Sequence, residues 1–108
     1  MEKLTVYSHS DCLSKDNGIN HPERKERLES ILSSIEEIDE LLIEIKEAPL
    51  ADFDDINLVH PQYFIDDLFS MIPDLGLVGV EKEPYADTLL CVNSKDAILR
   101  ACGAGIAS

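Results

Sequence analysis

The stretch that decides the fold is HPERKERLESILSSIEEIDELLIEIKEAP, residues 21–49. Pro22 suits the first position of a helix, where its missing N–H would have no partner anyway, and Glu23 complements the positive end of the helix dipole. Leu28, Ile31, Leu32, Ile35 and Ile38 then recur three and four apart, which is one apolar stripe. Glu29, Glu36, Glu37 and Glu40 fall off that stripe and are expected in water. Around Leu41 the period changes. Leu42 to Ala48 reads as an extended segment with Ile43 and Ile45 on one face, and Pro49 closes it.

Upstream, Leu4-Thr5-Val6-Tyr7 is β-branched and aromatic, a short strand expected to be buried. A polar loop from Ser8 to Asn20 follows, with Asp11, Asp16, Asn17 and Gly18 as turn formers. Downstream, Asp52 or Asp54 can cap a short helical turn through Ile56 and Leu58. A second helix follows His60-Pro61, with Tyr63, Phe64, Leu68, Phe69 and Ile72 as its expected buried side and Pro73 as its stop. Residues 74–93 hold Gly76, Gly79 and Pro84 and read as a long loop. Ser94 is an N-cap signal with Asp96 in the first turn. The last helix presents a small face of Ala97, Ala101, Cys102, Ala104 and Gly105, with Ile98 and Ile106 as larger anchors.

Two strands against three helices are too few for the sheet such helices cover. The expectation is an α/β fold, one domain over residues 1–108 without an internal boundary, truncated inside its last helix. The alternative is a complete, mostly helical small domain with a frayed end.

In 108 residues, 22 Asp+Glu face 9 Lys+Arg, a net charge of −13, which argues against nucleic-acid and anionic-membrane partners. No apolar run approaches a membrane span, the start lacks a signal-peptide core, and three scattered cysteines suit a reducing, cytoplasmic setting. Lys15, Arg24, Lys25 and Arg27 are four of the nine cations, and they lie beside His9, Cys12 and His21. Such a cationic spot in an acidic chain is the candidate functional edge; the plain reading is charge balance through pairs such as Glu23 with Arg27. His9, Cys12 and His21 could ligate zinc by residue type, without a clear fourth ligand. His9-Ser10-Asp11 are adjacent and cannot converge as a triad. His60 before Pro61 reads as a structural histidine, and Asp54-Asp55 and Asp66-Asp67 as solvated acids.

His9-x-x-Cys12, Asp16-Asn17-Gly18 and His21-Pro22-Glu23-Arg24-x-x-Arg27-Leu28 together resemble the opening of the histone deacetylase-like zinc amidohydrolases. The likeness is to the bacterial branch with acetoin-utilisation and acetylpolyamine amidohydrolase relatives. Leu58-Val59-His60 with Tyr63, then Asp87-Thr88, Ser94 and Ala101-Cys102-Gly103-Ala104, resemble later landmarks of that family in the same order. Lys15, Lys25 and Ile19-Asn20 depart from its usual pattern.

The resemblance implies the N-terminal portion of an arginase/deacetylase-like fold, a parallel sheet flanked by helices. It implies a hydrolase of acetyl-lysine proteins or acetylated small molecules such as polyamines, with zinc as cofactor of the full-length enzyme. It further implies that Arg27 lines a channel for released acetate, that Asp87 grips the substrate, and that the 9–21 loop borders the active-site mouth. The family's Asp-x-His ligands and His-His pair are not among these residues. For this chain alone the expectation is therefore no catalytic residue, no cofactor, and self-association through exposed apolar faces. A stand-alone binding module and a small metal protein using His9, Cys12 and His21 are the alternatives.

Overall fold

Strand β1 (Leu4–Ser8) and strand β2 (Ile43–Glu47) pair in parallel, Leu4 opposite Ile43 through Ser8 opposite Glu47, in a computed structural model that describes residues 3–18, 21–80 and 88–108. Helix α1 (Lys25–Glu36) lies between them in sequence. Parallel strands need such a crossover, and the change of period near Leu41 is where the chain turns from helix to strand. The fold is mixed α/β.

β1 is not buried as expected. Leu4 is 63% exposed and only Val6, Tyr7 and Ser8 are half-buried. Among the described residues β1 pairs with β2 alone, so each strand of this two-stranded sheet is an edge.

α1 begins at Lys25, three residues after Pro22. The cause is local: His21 Nδ1 accepts the Glu23 N–H at 3.0 Å, and Asn17 Nδ2 donates to the Glu23 carbonyl at 2.7 Å. These bonds hold the Pro-Glu pair outside the helix. The helix also ends before Ile38, and its stripe is at most half-buried.

Helix α2 (Phe53–Ile56) is capped by Asp52, whose carboxylate accepts the Asp54 N–H at 3.0 Å. Helix α3 (Gln62–Ser70) follows. Its expected face needs correction: Tyr63 is exposed, Ile65 is the buried residue, and Ile72 lies past the last turn. Phe64 and Leu68, with Met71 and Ile72, pack against fully buried Leu90. Leu90 belongs to a short antiparallel pair, β3 (Val78–Val80) with β4 (Thr88–Leu90), so part of the expected 74–93 loop is a hairpin. Pro84 and Asp87 lie outside the described residues.

Helix α4 (Ser94–Ala107) buries Ser94, Ala97, Leu99 and Gly103 rather than the expected Ala101, Cys102, Gly105 and Ile106, which are exposed. Ser94 is the first helical residue; its hydroxyl accepts the Cys91 N–H at 2.9 Å instead of capping the helix. The radius of gyration is 15.5 Å, against roughly 13 Å for a compact chain of this length. Among the described residues no helix is long and apolar enough to cross a membrane.

Candidate functional site

The 9–18 loop is not free-standing. A 3-10 turn (Ser10–Leu13) starts it, with His9 Nδ1 accepting the Asp11 N–H at 3.0 Å. Asp11 is then held by Arg100 of α4, whose Nε donates to its carboxylate at 3.1 Å while Nη1 donates to the Ala48 carbonyl at 2.9 Å. Further along, Asn93 donates to the Ser14 carbonyl and the Asp16 N–H donates to Cys91 Sγ at 3.2 Å. Asp16 closes a turn on the Gly18 N–H, and Gly18 takes φ +98°, a conformation only glycine adopts at little cost. The loop is thus sewn to α4 and to the end of β2.

Arg100 joins three elements, so its truncation is expected to destabilise. Arg100→Ala leaves the Asp11 carboxylate and the Ala48 carbonyl without their partner in a half-buried setting. The expected cost is about 1–2 kcal/mol in urea denaturation. Arg100→Lys should recover only part, because an ammonium cannot donate along both directions of the guanidinium fork. A change below about 0.5 kcal/mol for Arg100→Ala would refute the hub role.

This stitching leaves a cleft of about 470 Å³ between β1, the loop, the start of α1 and one face of α4. Tyr7, Ser8 and Ala48 form its floor, at the carboxyl ends of both parallel strands. Lys15, Arg24, Lys25 and Arg27 line it with Glu23, and α4 supplies an apolar wall of Ala97, Ile98, Ala101 and Ala104. In a chain of −13, four cations converging on one cleft focus a positive potential there. Arg27 Nη2 donates to both Glu23 carboxylate oxygens, at 2.7 and 3.0 Å. That hydrogen bond, with the guanidinium charge, holds the Glu23 carboxyl below its usual range.

The sequence candidates divide between settings. Arg27 and Cys12 line the cleft, whereas His9 caps the 3-10 turn and His21 faces Leu68, Leu89 and Leu90 in a neighbouring hollow. Among the described residues no group of three or more His, Cys, Asp or Glu is arranged to hold a metal ion, so His9, Cys12 and His21 are not assembled as a ligand set. Burial and the Asp11 carboxylate push the Cys12 thiol up. Asp87 lies outside the described residues. His60 stacks on Phe64, ring centroids 5.0 Å apart.

Two participants were not singled out by sequence. Asn17 is buried, touches the cleft, and orders Glu23; its Asp-Asn-Gly context marks a turn and a family motif but not the bond to Glu23. Cys91 is buried beside the loop. Burial raises its thiol, but donors from Asp16, Ser94 and Asn93 outweigh burial and leave it lower than usual. No family model matches the chain, and no curated protein matches it significantly.

Proposed function

We propose that these residues form the N-terminal part of a histone deacetylase-like amidohydrolase, whose parent hydrolyses acetyl-lysine or acetylpolyamine-type amides. The observation that carries the reading is the position of the cleft. It opens at the carboxyl ends of two parallel strands separated by a helix, where α/β sheets bind ligands, and Arg27 is on its wall. A fixed guanidinium suits the carboxylate of released acetate. The apolar wall of α4 suits its methyl group.

The residues present do not fit the family's catalytic zinc. The described residues assemble no metal-binding group, and the sequence holds neither Asp-x-His nor His-His. What these residues do in this reading is narrower: Lys15, Arg24, Lys25 and Arg27 attract and hold the anionic product, while Asp87 contacts substrate on the strength of the motif likeness alone. The zinc ligands and the His pair lie outside the 108 residues.

The reading frame supplies the test. It is expected to continue beyond Ser108 into a His-His pair followed by Asp-x-His, and the longer protein is expected to release acetate from acetylated substrates only with zinc. Arg27→Ala should lower its kcat. A stop codon at Ser108, or zinc-dependent turnover by the 108 residues alone, would sink the proposal.

A second reading, an interaction module, is favoured by the exposed Leu4, Ile31 and Ile45 on the sheet and α1. It requires a reading frame that stops at Ser108, and a frame that continues into the His-His and Asp-x-His segments would remove it.

A further inference from the structure

We propose that Glu23 is a built-in counter-anion of the cleft, occupying Arg27 so that a small carboxylate must compete with it. This rests on the reading of the cleft as a site for a carboxylate product, and adds its regulation. Glu23 is the one acid among the described residues lining the cleft, against Lys15, Arg24, Lys25 and Arg27.

It is held at three points. His21 Nδ1 accepts its N–H at 3.0 Å, buried Asn17 donates from Nδ2 to its carbonyl at 2.7 Å, and Arg27 Nη2 donates to both carboxylate oxygens. Glu23 sits outside α1, so its aim at Arg27 comes from the Asn17 and His21 clamps and not from helix periodicity. A carboxylate bridging one guanidinium nitrogen makes the contact an acetate ion would make. Both side chains are more than half exposed, 58% and 59%, so the pair is a displaceable contact rather than a permanent strut.

The test is a sodium acetate titration of the 108-residue chain at constant ionic strength, followed by NMR shifts of the Arg27 side chain and of backbone amides in residues 15–27. Glu23→Gln keeps the size and the clamps but removes the charge. It is expected to bind acetate about two- to fivefold more tightly than the parent chain, the range of an exposed ion pair. The gain should vanish in the Glu23→Gln/Arg27→Gln double variant, and neutral acetamide should bind none of the three. If the parent chain binds acetate and Glu23→Gln binds it with the same Kd, the counter-anion role is overturned while the carboxylate site stands. If neither protein binds acetate, both fall. A merely helix-supporting Glu23 would lower the stability of α1 on substitution and leave acetate affinity unmoved.

Discussion

Leu90→Ala is expected to be the most damaging single truncation in the described residues, at about 3 kcal/mol within the 2–5 kcal/mol range of buried leucines. Leu90 is 1% exposed, among the described residues the largest fully buried apolar side chain, and Phe64, Leu68, Met71 and Ile72 pack around it. The cost has two parts: the transfer free energy of the lost methyl groups, and the cavity left where the neighbours cannot close in. Here the neighbours are themselves only partly buried, so some collapse is available and the upper end of the range is not reached. Location adds consequence, because Leu90 is the link between α3 and the β3–β4 hairpin. Cys91, the next residue, receives the Asp16 N–H, so loosening β4 also loosens the loop that borders the cleft. Urea denaturation followed by far-UV circular dichroism measures the effect, with Leu90→Met as a size-conserving control costing under about 1.5 kcal/mol. A loss below about 1 kcal/mol for Leu90→Ala would show that the packing around it contributes little.

The middle of the fold was legible because its signals are local. Four apolar residues at helical spacing, Leu28, Ile31, Leu32 and Ile35, then Ile43 and Ile45 two apart, specify α1 and β2 whatever surrounds them. Pro22 and Glu23 carry helix-opening propensity and so set the start of α1 too early in the sequence pattern; the bonds that override it come from His21 and from Asn17, six residues before Glu23. Strands of three residues carry almost no period, so the hairpin leaves no mark in the sequence pattern. On α4 the small residues suggested a face, but burial is decided by what crosses the helix, and the 49–51 segment crosses at Leu99 and Gly103. The candidate site divides the same way. Lys15, Arg24, Lys25 and Arg27 cluster within thirteen positions and were visible as a cationic spot. The apolar wall opposite them comes from Ala97 to Ala104, and Arg100 reaches Asp11 across 89 positions. No local pattern encodes a contact at that separation. His9 and His21 looked like ligands by residue type, yet each spends Nδ1 on a backbone N–H two residues on.

That crossing gives the second large effect, and its sign runs against helix propensity. Alanine is about 1 kcal/mol better than glycine inside a helix, so both glycines of α4 invite replacement. At Gly105 nothing lies within 4 Å of the added methyl, and Gly105→Ala should stabilise by about 0.5 kcal/mol, reduced by the nearness of the helix end. At Gly103 the same methyl would run into the Pro49 carbonyl, a backbone group that cannot rotate away as a side chain would. Nor can the 49–51 segment simply retreat. The Ala51 N–H donates to the Leu99 carbonyl at 3.0 Å, and Ala48 is tied both to Ser8 and to Arg100. Gly103→Ala must therefore stretch or break the bonds that join α4 to the end of β2, at a cost typical of overpacking. The net loss is expected at about 2 kcal/mol after the propensity gain is subtracted. Because Ala97, Ile98, Ala101 and Ala104 of the same helix wall the cleft, the displacement should also shift backbone amides near Lys15 and Arg27 in NMR spectra, which Gly105→Ala should leave in place. Opposite signs in urea midpoint for two identical substitutions two residues apart would establish the close approach. A neutral or stabilising Gly103→Ala would mean that α4 and the 49–51 segment do not meet as described.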